Sequence, residues 1–280
     1  MRNIPAETIV DAVAELCRKA NYLLPDDVLS ALQAAAEREE SPVGKGILDP
    51  ILKNASIASE GIFPICQDCG LAVFFVEIGS EVHVEGMTLE QALTEGTRKG
   101  YLEHYLRKSV VTDPFTRINS NDNTPPLIHT KCVAGDRLRI RFMPKGSGSE
   151  NMSLVRMLSP ADGIEGVKKA VLECVETAGA KSCPPVTVGV GIGGSLGKCA
   201  ELAKLALFRP IGTEHEQPFY RDLEAELLDS INRLGIGPLG LGGTVTALAV
   251  HIDAAPCHIA SLPVAVNLQC HAARRAEVEL

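Results

Sequence analysis

The sequence predicts an α/β or α+β fold, with a mixed sheet flanked by helices and a helical N-terminal region. Three observations predict it. Apolar residues near the N-terminus recur at helical spacing, short β-branched apolar runs follow, and amphipathic helical segments alternate with those runs. No linker, repeat or low-complexity tract interrupts the 280 residues, so we expect a single domain over residues 1–280.

The elements follow in order along the chain. Residues 1–55 are predicted to be mainly helical, because Ile9, Val13 and Leu16 share one helical face and Pro25 precedes the start of a second helix. The later predictions are a strand at Leu71–Ile78, a helix from Thr88 that ends near Arg107, an extended loop over residues 112–130, and a strand at Arg137–Met143.

The C-terminal half is predicted in the same way from glycine clusters and apolar periodicity. The predicted segments are a glycine-rich loop at 145–151, helices at Ile164–Ala178, Leu196–Leu207 and Glu216–Leu234, a strand at Val186–Val190, a glycine-rich stretch at 234–243, and an apolar run at Val245–Ile252.

The net charge of −8 and the isoelectric point near 5.4 argue against a nucleic-acid-binding surface, which needs clustered positive charge. The N-terminus has no apolar signal core, and no run approaches the roughly 18 apolar residues of a membrane span. We therefore expect a cytoplasmic protein with no membrane or nucleic-acid partner.

Nine cysteines are too irregularly spaced for a disulfide framework, and their number is odd. Cys17 and Cys174 lie on apolar helical faces and are interpreted as core residues. Cys66, Cys183 and Cys270 instead lie where extended or looped segments end. If these three thiolates meet in space, they can hold an iron–sulfur cluster and leave one iron open as a Lewis acid.

Two other patterns compete with that interpretation. Gly189–Gly194 satisfies G-x-G-x-x-G between a strand and a helix, as a dinucleotide-binding turn does, although no second strand ending in an acidic residue follows. Cys66 and Cys69 form a C-x-x-C pair that is typical of half a zinc site or a redox dithiol, although no second pair exists. A nucleotide-dependent dehydrogenase therefore stays open as an alternative.

Three polar residues are ambiguous by position alone. Asp68 is two residues from Cys66, where it could move a proton or simply cap a turn. His258, twelve residues before Cys270, could be catalytic or structural. Arg107 could bind a carboxylate in bidentate fashion or be a surface cation.

Seven stretches occur in a distinctive order: Ile65–Asp68, Leu106–Ser109, Gly146–Asn151, Cys183–Gly194, Phe208–Gly212, Asn232–Pro238 and Gln269–Arg275. With them the chain resembles, over essentially its whole length, the alpha subunit of class I (iron–sulfur) fumarate hydratases. L-tartrate dehydratase alpha subunits are similar, although the Gly-Ser-Glu-Asn loop is closer to the fumarate hydratase version. The chain corresponds to the N-terminal half of single-chain members, so we expect a separate beta subunit to supply the second half.

The resemblance implies a [4Fe–4S] cluster held by Cys66, Cys183 and Cys270, with the fourth iron free for a dicarboxylate substrate. It also implies tight turning of the glycines at 189–194 beneath the cluster. The implied reaction is the reversible hydration of fumarate to (S)-malate in an α₂β₂ assembly, with the catalytic base on the partner subunit. The sequence does not separate fumarate from L-tartrate.

The resemblance further implies roles for individual residues. Asp68 and His258 would be catalytic, and Gln67, Arg107 and the backbone at Gly148 would bind substrate. At position 69 the family pattern has threonine and this chain has cysteine. A cysteine there could reach the fourth iron, close the open position and make the protein an electron carrier. We interpret it instead as a substitute for threonine, because the two side chains are similar in size and the other substrate-facing residues of the family pattern are present.

Overall fold

The computed structural model describes residues 1–280, which contain ten strands and eight α-helices. The strands are β1 Arg2–Pro5, β2 Leu71–Gly79, β3 Val82–Glu85, β4 Leu127–Val133, β5 Leu138–Lys145, β6 Leu154–Leu158, β7 Val186–Gly193, β8 Ala247–Ala255, β9 Leu262–Gln269 and β10 Ala276–Glu279. The helices are α1 Ala6–Tyr22, α2 Asp26–Arg38, α3 Pro42–Ser59, α4 Leu89–Glu103, α5 Ser147–Glu150, α6 Gly163–Ala178, α7 Leu196–Ala206 and α8 Pro218–Asn232.

These elements confirm the α/β prediction and the helical N-terminal region, and no helix has the length and apolar character needed to cross a membrane. The chain divides into two compact units, each built from more than one segment. The first unit comprises Met1–Pro25, Ala55–Ser147 and Arg274–Leu280, and the second comprises Asp26–Asn54 and Gly148–Ala273.

The first unit has a four-stranded sheet in the order β10-β5-β2-β4 and a two-stranded sheet of β1 and β3. Strands β2 and β4 are parallel, and the other neighbours in the larger sheet are antiparallel. Helix α1 packs against α4 and the sheet, where Ile9, Val13, Phe74, Tyr101 and Phe142 form part of one buried cluster. The loop that carries Cys66 enters this sheet through β2.

The second unit has a sheet in the order β6-β9-β7-β8, in which only β7 and β8 are parallel. Helices α6 and α8 share a buried cluster with one face of this sheet, and α7 packs on the other face. Because β9 runs antiparallel to β7, the end of β9 lies beside the start of β7, with Gln269 opposite Thr187. This register places the residues after β9 next to those before β7.

Several predicted boundaries were wrong. The helix predicted to end near Arg107 ends at Glu103, because Tyr105 takes a left-handed conformation with φ 54° and reverses the chain. The loop predicted over residues 112–130 includes the first residues of β4, and the strand predicted at Val186–Val190 continues to Gly193.

Candidate active site

The loop between α3 and β2 holds Cys66 in a half-buried position. The loop is fixed upstream, because the Ile65 N–H donates to the Asn21 carbonyl oxygen at 2.8 Å. The Asp68 N–H donates to Cys66 Sγ at 3.4 Å, and the thiol reaches Gln67 Oε1, also at 3.4 Å. Backbone N–H donors of this kind stabilise sulfur that carries negative charge, as a metal-bound thiolate does.

The Asp68 carboxylate is held by three donors. Its Oδ1 accepts the Gly70 N–H at 2.9 Å, and its Oδ2 accepts the Ser147 N–H at 2.9 Å and the Ser147 hydroxyl at 3.3 Å. Gln67 beside it is exposed. The carboxylate therefore has a fixed orientation, which a proton-transferring group requires.

Cys69 is turned into the core of the first unit, where its side chain is 1% exposed. Burial raises the pKa of this thiol. Its Sγ accepts the Arg107 N–H at 3.2 Å and lies 3.7 Å from the Cys66 carbonyl oxygen. The structure thus brings the backbone of Arg107 to the Cys66 loop, while the Arg107 guanidinium is exposed and forms no ion pair within the chain.

Arg274 also belongs to this region, although our sequence reasoning assigned it no role. It is 2% exposed, and its Nη1 donates to Asn21 Oδ1 at 2.9 Å. A Cβ on Gly146 would lie 3.3 Å from Asp68 Oδ2 and 3.6 Å from Arg274 Nη2, so the carboxylate and the guanidinium approach the same point. The available signal in the sequence was the position of Arg274 within the Gln269–Arg275 stretch.

The second unit brings Cys183 and Cys270 together. Cys183 is exposed in a left-handed conformation with φ 54°, after the 3₁₀ turn Gly179–Ser182. Its carbonyl oxygen accepts the His271 N–H at 3.1 Å and lies 3.0 Å from His271 Nδ1. Two of the three predicted ligands are therefore neighbours through one residue, His271, which follows Cys270 directly.

Gly148 and the motif around it are anchored in the second unit. A Cβ on Gly148 would lie 3.2 Å from the Lys181 carbonyl oxygen, so the position has little room for a side chain. Glu150 pairs with Lys204, and its Oε2 accepts a hydrogen bond from Asn267 Nδ2 at 2.9 Å. This bond connects the Gly-Ser-Glu-Asn motif to the strand that leads to Cys270.

His258 lies in the exposed loop between β8 and β9, where its Nδ1 accepts the Ala260 N–H at 3.1 Å. That loop follows the C-terminal end of β8, which pairs with the C-terminal end of β7. Cys270 follows β9, which runs antiparallel to β7, so it lies at the opposite end of the strands. The eight residues of β9 separate these two ends of the sheet by about 25 Å, at roughly 3.3 Å per residue. The fold does not bring His258 and Cys270 of one chain together.

The glycines of the G-x-G-x-x-G pattern lie mostly inside β7. Gly189 and Gly191 face α7, where a Cβ would stand 2.1 Å from the Ala203 carbonyl oxygen and 1.9 Å from that of Cys199. The pattern therefore serves close packing of a helix on a strand, and its first two glycines form no turn that could cradle a pyrophosphate. Gly193 and Gly194, with φ of 85° and 67°, do form the tight turn from β7 to α7. This turn lies at the end of β7 opposite to Cys270, so it is not next to that proposed ligand.

No three cysteine, histidine, aspartate or glutamate side chains are gathered around one point as a metal site. The chemistry of the donors nevertheless fits an iron–sulfur cluster. All nine cysteines are free, and Cys66, Cys183 and Cys270 are at least partly exposed, as are Cys132 and Cys257, whereas the other four are buried. Accessible sulfur is what cluster ligation requires.

A family model described as "Fumarate hydratase (Fumerase)" matches residues 10–279. The "Putative L(+)-tartrate dehydratase subunit alpha" of Methanocaldococcus jannaschii is 46% identical over 274 residues, which cover 96% of each chain. The "L(+)-tartrate dehydratase subunit alpha" of Escherichia coli strain UTI89 is 36% identical over 274 residues, covering 95% of this chain and 89% of that protein.

Proposed function

The chain belongs to the fumarate hydratase (Fumerase) family of iron–sulfur hydro-lyases, and on this premise we propose that it is the cluster-binding subunit of an enzyme that reversibly hydrates fumarate to (S)-malate. The observation that carries the proposal is the pairing of Cys183 with Cys270 through His271. Two cysteines 87 positions apart in the sequence are brought close, because the residue after Cys270 is hydrogen-bonded to the backbone of Cys183.

Cys66, Cys183 and Cys270 are the proposed ligands of a [4Fe–4S] cluster. When bound, such a cluster with one iron free of protein sulfur supplies a Lewis acid for a substrate carboxylate and hydroxyl. The N–H bond from Asp68 to Cys66 Sγ supports ligation by Cys66. The burial of Cys69 supports an open fourth position, since its side chain lies in the core and already accepts a backbone N–H.

Asp68 is the proposed acid that moves the proton of the hydroxyl group being added or lost. The three donors that hold its carboxylate fix its orientation in the loop that carries Cys66. The base for the neighbouring carbon is proposed to come from a beta subunit in an α₂β₂ assembly, in accordance with the printed names of the relatives. We place this assembly in the cytoplasm, where cysteines stay reduced.

Arg107, Gln67 and the backbone of Gly148 are the proposed substrate-binding groups. The Arg107 guanidinium has no carboxylate partner in the chain, while its backbone is pinned to Cys69 Sγ. A planar guanidinium on a fixed backbone suits one carboxylate of a C4 dicarboxylate in a bidentate pair. Gln67 is exposed beside Cys66 and can donate an amide N–H to the same substrate.

His258 keeps its proposed catalytic role only with a change of partner. Since β9 separates it from Cys270 by the length of the strands, its imidazole would serve a substrate bound by another copy of the chain.

Dehydration of L-tartrate is the second candidate activity, and the names of the two relatives favour it. Both substrates are C4 dicarboxylates that need the same acid and the same carboxylate-binding groups.

The test is anaerobic reconstitution of the chain with iron, sulfide and the separately produced beta subunit. We expect a cluster by electron paramagnetic resonance after one-electron reduction or oxidation, and malate formation from fumarate, with L-tartrate assayed in parallel. Cys183→Ser is expected to lose both cluster and activity, and Cys132→Ser, an exposed cysteine on β4, is the matched control. Full cluster content and activity in the Cys183→Ser protein would rule out the proposal.

A further inference from the structure

The loops around Cys66 and Arg107 carry large apolar side chains that the chain leaves in solvent. Ile62 and Phe63, in the loop that carries Cys66, are 66% and 65% exposed, and Tyr105, two residues before Arg107, is 88% exposed. Single exposed apolar residues are ordinary. Several of them beside one binding site are typical of a surface that another molecule covers.

Two more such residues lie on a short hairpin formed by residues 110–120, here named the 110–120 hairpin. Val111 and Asn119 pair near its base as an isolated antiparallel bridge. At its tip the Asp113 carboxylate accepts the Phe115 N–H at 2.9 Å, which fixes the turn. Phe115 is 91% exposed and Ile118 is 64% exposed. The hairpin thus holds apolar side chains in a preorganised position outside the core.

The root of the 110–120 hairpin is tied to the proposed site. The Ser109 N–H donates to Asn123 Oδ1 at 2.6 Å, and Asn123 Nδ2 donates to the Gly70 carbonyl oxygen at 3.1 Å. Asn123 is fully buried, and Gly70 donates its N–H to the Asp68 carboxylate. The hairpin therefore rises beside the residues proposed to handle substrate.

The charge of this region differs from that of the chain as a whole. Arg107, Lys108 and Arg117 form no ion pairs, and Asp113, the one carboxylate in residues 104–121, is used by backbone N–H groups. The whole chain carries a net charge of −8. A partner that covers this region would be complementary to it if it carried acidic groups around an apolar pocket.

We propose that the 110–120 hairpin, with Tyr105, is the docking site for the beta subunit, and that Phe115 and Ile118 are its anchors. The inference rests on the proposed function, because the residues supplied by the beta subunit must reach the substrate beside Arg107 and Asp68. A second copy of this chain fits poorly, since a two-fold contact would set the same unpaired cations against each other. Aromatic side chains with arginine neighbours are the usual energetic centre of such interfaces.

The experiment measures binding of the beta subunit, produced as a separate polypeptide, to the immobilised cluster-loaded chain. The Phe115→Glu/Ile118→Glu variant is expected to bind the beta subunit at least about thirtyfold more weakly than the unchanged chain. Ile164→Glu/Phe219→Glu, which places the same two charges at an exposed isoleucine on α6 and an exposed phenylalanine on α8, is the matched control with unchanged binding. Hydrogen exchange on the unchanged complex is expected to show protection of residues 110–120.

Folding of each variant is checked by its melting temperature, and Phe115→Ala provides a milder change. The proposal would be overturned if the double variant bound the beta subunit as tightly as the unchanged chain, or if the control lost as much affinity. It would also be overturned if the unchanged chain did not bind the beta subunit, or if the double variant lost self-association and not beta-subunit binding. The proposed function fails separately. In that case the unchanged pair binds and loses affinity on Phe115→Glu/Ile118→Glu, yet forms no product from fumarate or L-tartrate.

Discussion

Cys69 lies three residues from Cys66, a spacing at which two cysteines often bind the same metal. Its surroundings determine whether Cys69 can bind a metal. Its sulfur accepts the Arg107 N–H, and its side chain packs in the core cluster of the first unit. A buried sulfur that is also a hydrogen-bond acceptor has two structural functions, and both oppose its moving out to a metal.

The Cys69→Thr and Cys69→Val pair tests this assignment. Threonine keeps an acceptor for the Arg107 N–H, so we expect little change in stability or KM. Valine removes the acceptor, so we expect a loss of about 1 kcal/mol in the free energy of unfolding and a higher KM. Iron content should be equal in both variants and in the unchanged protein, and a parallel fall in iron content would make Cys69 a ligand.

Single residues were predictable where a motif surrounds them and not where a long-range contact defines them. Cys17 and Cys174 were identified as core residues from helical spacing, and both are buried. The bond between Arg274 and Asn21 joins residues 253 positions apart. No local pattern contains that contact, because a buried guanidinium depends on chain packing that only the folded structure defines.

At the scale of elements, β7 shows how one alternating pattern can resemble a functional motif. Its valines and Ile192 face α6 and α8, and its alternate positions, Gly189 and Gly191, face α7. Side chains alternate between the faces of a strand, so glycine at every second position lets a helix approach one face closely. The sequence was sufficient to predict the strand but not to predict which neighbour requires the glycines.

Gly191→Ala is expected to lower the free energy of unfolding by about 3 kcal/mol, since the new Cβ would stand 1.9 Å from the Cys199 carbonyl oxygen. Gly197→Ala is the control within α7. No atom lies within 4 Å of its Cβ, so alanine there should be neutral or stabilise by up to about 1 kcal/mol. Urea unfolding monitored by circular dichroism measures both, and equal stability of the two variants would contradict the packing role.

For the whole molecule, the sheet of the second unit sets where each chemical group can act. Cys183 and Cys270 lie at one end of its strands, and His258 lies at the other end. The family resemblance identified all three residues, but it could not reveal this separation, because it depends on the antiparallel direction of β9. That strand was not among our predicted elements, although its alternating apolar residues were visible in the sequence.

A mixed assembly tests whether His258 serves a neighbouring copy. One copy carries His258→Ala and the other Cys183→Ser, and assemblies containing both are isolated with two different affinity tags. If His258 acts on another copy, one site of each pair retains both its cluster and a histidine, so we expect about half of the unchanged activity. Action within one chain leaves no complete site, and the mixed assembly would then be as inactive as either variant alone.

The bond between Glu150 and Asn267 has a consequence for how such a chain can change over evolution. Asn267 lies on β9 between Val266 and Leu268, which belong to the buried cluster with α6 and α8. Both faces of β9 are covered, one by α6 and α8 and the other by α7. Deleting one residue from β9 would exchange these faces, so that Asn267 would turn towards the apolar cluster and the valines towards α7. We therefore expect length variation among homologues to be absent from β9.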